Sequence, residues 1–218
     1  FVKYFSELEQ AKGYSFKVPP KSAKHAGGIR ASDQYIFGRT GRPLNDAEKA
    51  LNKDEIYLAR IPIAFAVGSA VNISSLSLQE LSAIFTGELV NWKELGGPDA
   101  AIMTIGREET EALFLELKEE YPVFKKAQFV QVAGKDDAVI NLLQQKIGQY
   151  GIGFGAKPNF DQASVSTVAT PDFSAGVNLG LVYDKKNKEH PLVKLASEFA
   201  ASEEWAKALN SLGVLPPK

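Results

Sequence analysis

The chain has 218 residues, a formal net charge of -1, 44% hydrophobic and 23% charged residues, and no cysteine. That length suits one large domain or two small ones with a properly buried core. The near-neutral charge offers no basic field for nucleic acid, the lack of cysteine excludes disulfides, thiolate catalysis and cysteine metal sites, and no apolar run approaches the roughly 18 residues of a membrane-spanning helix.

Phe1, Phe5 and Leu8 open the chain at helical spacing, which predicts a helix over residues 1–11. A start inside a helix with no capping residue implies that something precedes Phe1 in the natural product. Residues 14–18 and the run Tyr35-Ile36-Phe37 read as extended, with a glycine-punctuated segment Ala26-Gly27-Gly28 between them. Residues 55–67 are almost continuously apolar and β-branched, as in a long buried strand. Ser77-Leu78-Gln79-Glu80 is a capping box, with Leu78, Leu81 and Phe85 on the inner face of the helix it starts. Strands at 101–105 and 128–132 and helices at 108–120 and 136–149 follow, the last placing Val139, Leu142, Leu143 and Ile147 inward. Gly151-Ile152-Gly153-Phe154-Gly155 is a glycine-spaced strand, 157–162 a loop, 165–168 a strand and 177–183 a further apolar strand. Pro191 suits a first helical turn and Ser202 an N-cap, and Trp205, Leu209 and Leu212 turn the last helix toward a core. Strands alternating with helices make the fold class α/β with parallel connections predominating.

Nothing in this order reads as catalytic machinery. His25 and His190 are far apart and lack metal-ligand spacing, no serine sits in a nucleophile elbow, and Glu108, Glu109 and Glu111 stand at a helix start, where acidic residues suit the dipole. Lys157-Pro158-Asn159 follows the glycine-spaced strand, which argues against a phosphate-cradling nucleotide loop. The reading is therefore not an enzyme, with no metal or other cofactor implied.

Several motifs occur together in order and spacing: Ile61-Pro62-Ile63-Ala64-Phe65-Ala66-Val67, Ser75-Leu76-Ser77-Leu78-Gln79-Glu80-Leu81, Ile84-Phe85-Thr86-Gly87, Asn91-Trp92-Lys93-Glu94-Leu95-Gly96-Gly97-Pro98 and Ile105-Gly106-Arg107-Glu108. This set resembles the second lobe of the phosphate-binding-protein family of periplasmic solute-binding proteins. Gly38-Arg39-Thr40-Gly41-Arg42-Pro43-Leu44 is similar to a first-lobe turn of that family, and the glycine-spaced strand to its return strand. The resemblance implies a two-lobed type II periplasmic-binding fold, each lobe a mainly parallel sheet flanked by helices. Residues 1–60 and 172–218 would form one lobe, 62–171 the other, and two chain crossings the hinge. It further implies an extracytoplasmic protein that holds a small ligand between its lobes and serves an ABC transporter permease or a sensor protein.

The same resemblance marks departures at the ligand. Where the family runs into a Gly-Ser-Gly-Thr loop, this chain reads Thr110-Glu111-Ala112-Leu113, which sets a carboxylate where the family has a serine. The family's phosphate-accepting aspartate would fall in Tyr35-Ile36-Phe37-Gly38, which offers Ile36, and its Ser-Gly-Gly turn becomes His25-Ala26-Gly27-Gly28. Arg107 survives, either as a ligand contact or paired with Glu108, Glu109 or Glu111. His25, Arg39, Thr40, Arg107, Thr110 and Glu111 are thus the candidate ligand-binding residues. These departures point to a small ligand other than phosphate. The alternatives are a ligand-free interaction or sensor module on the same fold, and conventional phosphate binding through backbone amides.

Overall fold

The computed structural model describes residues 1–18 and 25–217, with the side chains of His25 and Ala26 outside that description. The chain divides into two units, residues 1–60 with 177–218, and residues 61–176. No helix among the described residues is long and apolar enough to cross a membrane.

Unit 1 begins with a short helix α1 (Val2–Phe5), then α2 (His25–Ala31), strand β1 (Gly38–Thr40) and α3 (Asp46–Lys49). The long strand β2 (Lys53–Val67) leaves unit 1 after Arg60 and continues as the first strand of unit 2. Helix α4 (Leu78–Thr86), strand β3 (Met103–Arg107), helix α5 (Ala112–Glu120), strand β4 (Gln131–Ala133), helix α6 (Asp136–Gln144), strand β5 (Gly151–Ala156) and helix α7 (Lys157–Gln162) complete unit 2. The chain returns through β6 (Gly176–Asp184) to α8 (Pro191–Ala200) and α9 (Glu203–Ser211).

The sheets are mixed: unit 2 is mainly parallel, as expected, with one antiparallel pairing, whereas the β1–β6 pairing of unit 1 is antiparallel, against the expectation of a mainly parallel sheet in each lobe. In unit 2 the order is β2-β5-β3-β4, with β3 parallel to both β4 and β5 but β2 antiparallel to β5. In unit 1, β6 lies between β1 and β2 and runs antiparallel to β1, with Thr40 opposite Gly180. The reason is connectivity. A helical crossover returns the chain in the same direction, as happens from β3 through α5 to β4 and through α6 to β5.

Local chemistry explains most elements. Ser77 Oγ accepts from the Glu80 amide at 3.2 Å and Glu80 Oε2 accepts from the Ser77 amide at 2.7 Å, so α4 starts with two of its exposed donors satisfied. Leu81, Ile84 and Phe85 are buried beneath it. Pro191 occupies the first turn of α8, and Ser202 Oγ accepts from the Trp205 amide at 3.1 Å to cap α9. Trp205 then donates its indole N–H to the Leu58 carbonyl at 2.6 Å inside a core of Phe5, Leu192, Phe199 and Leu209.

In β5 the two-residue period separates functions. A Cβ at Gly153 would lie 2.7 Å from Val139 and one at Gly155 2.7 Å from Phe160, so the glycine face admits α6 and α7 closely. Phe154 faces the other way into a group of rings with Phe65, Phe85, Phe114 and Phe129, whose centroids lie 5.6–6.2 Å from it.

Other expectations differ from the structure for identifiable reasons. Residues 157–162 form a helix, because Pro158 is tolerated in a first turn, Phe160 is fully buried and Lys157 pairs with Asp161 one turn on at 2.7 Å. Helix α6 stops at Gln144 and the chain folds back so that Gly148 packs against the Leu142 carbonyl, which leaves Ile147 exposed. Residues 14–18 form no strand, and near 165–168 there is only an isolated bridge from Thr167 to Ala66. Leu212 follows the end of α9 and is exposed.

Candidate functional site

The strongest polar constellation lies in unit 2, where β3 and β5 end and α5 and α6 begin. Gly106 is backed by the Phe129 ring, 2.1 Å from where a Cβ would stand, so only glycine fits there. By alternation Arg107 emerges on the opposite face. Its register partner on β4 is Ala133, and Asp136, three residues further on, opens α6.

Arg107 is 3% exposed and Asp136 9%. Arg107 Nη1 donates to Asp136 Oδ1 at 2.7 Å, and Nη2 lies 3.1 Å from Glu111 Oε1. Asp136 Oδ2 accepts from the Ala156 amide at 3.3 Å and from Asn159 Nδ2 at 2.5 Å. Glu111 is the N-cap of α5, where its Oε2 accepts from the Leu113 amide at 2.9 Å and the Phe114 amide at 3.2 Å. Arg107 Nε has no acceptor among the described residues. A buried N–H left unmet costs about 1–3 kcal/mol, so the guanidinium keeps a spare, energetically costly donor.

Burial pushes the Glu111 carboxyl above the usual glutamate range, and the Asp136 carboxylate adds to that. The Arg107 charge and the Phe114 and Leu113 amides oppose it without overcoming it. With all three side chains ionised the cluster carries two negative charges against one positive. At about 4 Å and an effective dielectric near 20, each unit-charge pair is worth about 4 kcal/mol, so the balance within this cluster governs which ligands it tolerates.

The structure thus brings Arg107 and Glu111 together and selects Glu111 from the three neighbouring glutamates. Glu109 instead pairs with Lys118 at 2.6 Å. Thr110 sits exposed in the preceding turn. In unit 1, Arg39 is exposed on β1, while Thr40 is fully buried and its Oγ1 has no hydrogen-bond partner among the described residues. His25 is the first residue of α2, and its side chain lies outside the description. Asp136 and Asn159 were not among the residues singled out in the sequence. The only local hint was an acidic pair, Asp136-Asp137, at a helix start, which ordinarily reads as favourable dipole chemistry.

Two α/β units, one with a buried arginine at the carboxyl end of a parallel strand, are the setting in which the family can be stated. The chain belongs to the PBP superfamily, matching the PBP superfamily domain over residues 2–216. It is 28% identical over 131 residues to the phosphate-binding protein PstS of Borreliella burgdorferi, which is 55% of this chain and 47% of that protein. It is 39% identical over 84 residues to the phosphate-binding protein PstS of Bacillus subtilis, which is 38% of this chain and 27% of that protein. The chain therefore spans less than half the length of either relative in these matches. Among solved structures it is similar to one from Clostridium perfringens with bound phosphate, described as a phosphate ABC transporter substrate-binding protein. The TM-score is 0.68 at 23% identity, covering 90% of this chain and 86% of that one. That likeness concerns the fold: two helix-and-sheet lobes resembling the type II periplasmic-binding arrangement.

Proposed function

We propose that this chain is a non-catalytic, extracytoplasmic solute-binding protein whose ligand is phosphate and which delivers it to the membrane permease of an ABC transporter. The observation that carries the reading is its shared sequence with two proteins named as phosphate-binding, at 28% and 39% identity over the matched stretches. Geometry supports it in one respect: Arg107 is a buried positive charge whose Nε has no acceptor among the described residues. Arg107 supplies the charge for the oxyanion. Thr110, exposed in the turn before α5, is a weaker candidate for contact with the solute.

A second reading, a small ligand other than phosphate or an interaction module, is favoured by one observation. The Glu111 carboxylate already engages the first amides of α5 and the Arg107 guanidinium. Isothermal titration separates the readings. Phosphate is titrated into the chain alongside sulfate, amino acids and small carboxylates. Saturable phosphate binding, weakened at least about tenfold by Arg107→Lys because the planar fork is lost, is the expected result. A folded chain silent toward phosphate to millimolar concentration would overturn the first reading, and a saturable response to an amino acid or carboxylate would establish the second.

A further inference from the structure

We propose that Glu111 is a resident anion: its carboxylate occupies an oxyanion seat formed by the start of α5 and Arg107, so an incoming oxyanion must displace it, and Glu111 sets oxyanion affinity. This rests on the reading that the solute is an oxyanion.

The argument begins with donors. Helix α5 has nine residues, and its first free amides, on Leu113 and Phe114, converge on one oxygen of Glu111. The other oxygen lies 3.1 Å from Arg107 Nη2. One carboxylate therefore spans two helix-terminal N–H groups and a guanidinium, the set of donors that two oxygens of a tetrahedral oxyanion would use.

The second observation is independent of the helix end. Arg107, 3% exposed, has Nη1 on Asp136 and Nη2 on Glu111, yet its Nε has no acceptor among the described residues. The chain's own two carboxylates leave one buried, charged donor over, and an oxyanion has more acceptor oxygens than a carboxylate. Asp136 is not the displaced group, because it is also held by the Ala156 amide and Asn159. Glu111 is the more releasable of the two, its side chain being 18% exposed against 11% for Asp136.

Protonation acts in the same direction as displacement. The charged groups facing Glu111 are Arg107 from β3 and Asp136 from α6, and its own turn adds Glu108 and Glu109, the latter paired with Lys118. Burial together with Asp136 favours the neutral acid against the pull of Arg107, so lowering the pH weakens the hold of Glu111 on the guanidinium.

The test is isothermal titration of phosphate into the wild-type chain, Glu111→Gln and Glu111→Ser between pH 5 and pH 8. Serine keeps an N-cap hydroxyl and glutamine keeps the shape, so α5 retains a cap, and circular dichroism checks the fold. Both variants are expected to bind phosphate at least about tenfold more tightly than wild type at pH 8, since one unit of like charge is removed from the seat. That ratio should shrink toward one as the pH falls, and sulfate, whose charge does not change in this range, is titrated in parallel to separate the protonation of Glu111 from that of phosphate. Folded variants that bind phosphate no more tightly than wild type, or not at all, overturn the proposal whatever the wild type does. A silent wild type beside a binding Glu111→Ser leaves the proposal standing and removes phosphate as the natural solute.

Discussion

Asp136→Ala should be among the most damaging single substitutions in unit 2. The change removes the shortest partner of a guanidinium that is 3% exposed, at 2.7 Å, and also the acceptor of the Ala156 amide and of Asn159 Nδ2. Breaking a buried ion pair from one side costs about 3–5 kcal/mol, chiefly because the remaining charge stays desolvated. The two lost amide contacts share the same oxygen and do not add in full. Asp136→Asn should cost less, about 2 kcal/mol, because its amide oxygen still accepts from Arg107 while its NH2 meets two other donors. The assay is urea denaturation followed by fluorescence. The chain has two tryptophans, Trp92 in unit 2 and Trp205 in unit 1, so Trp205→Phe makes Trp92 a reporter of unit 2. With an m-value of about 2 kcal/mol per molar urea, the midpoint should fall by about 1.5–2.5 M for alanine and about 1 M for asparagine. A shift below about 0.5 M for Asp136→Ala, or an asparagine variant worse than alanine, would refute the view that Asp136 holds a buried charge in place.

The neighbouring glycines Gly27 and Gly28 should respond in opposite ways. A Cβ at Gly27 meets nothing within 4 Å, so Gly27→Ala should stabilise α2 by about 0.5–1 kcal/mol. One at Gly28 would lie 1.7 Å from the Arg39 carbonyl oxygen, so Gly28→Ala should cost more than about 3 kcal/mol or prevent folding of unit 1, as thermal melts would reveal. Glu111 should make stability depend on pH. Its folded-state carboxyl titrates above the ordinary range, so its contribution is full below the unfolded value and is lost as pH rises through the folded one. The melting temperature of Glu111→Gln should therefore gain on wild type between pH 4 and pH 8, and a constant difference would contradict that sign. Ser77→Ala should cost about 1 kcal/mol in chemical denaturation through loss of the α4 capping box, with no effect on ligand titration.

Much of the secondary structure was legible because it rests on local chemistry. The capping box at Ser77, the cap at Ser202, the proline at the start of α8 and the long apolar strand through residues 55–67 are each specified within a few residues. Errors arose where a local signal had two meanings. Lys157-Pro158 reads equally as a loop or a first helical turn, and only burial of Phe160 against the glycine face of β5 decides for the helix. Similarly, the apolar Ile147 has helical spacing, but the chain folds back at Gly148 before the helix reaches it.

The candidate site divides along the same line. The chain's family and its α/β class could be read from the order of its motifs, and a pairing of Arg107 with one of Glu108, Glu109 or Glu111 from their nearness in the chain, because both are properties of near neighbours. Only the tertiary structure showed that Glu111 caps α5 with one oxygen while holding Arg107 with the other. It also brought in Asp136, which is 29 residues from Arg107 in the chain. Asp136 reaches the arginine because β3 and β4 are parallel, with Arg107 in register with Ala133, so α6 starts at the end of the sheet where β3 stops. Strand direction and register arise from pairing across the sheet, and no spacing within either segment encodes them.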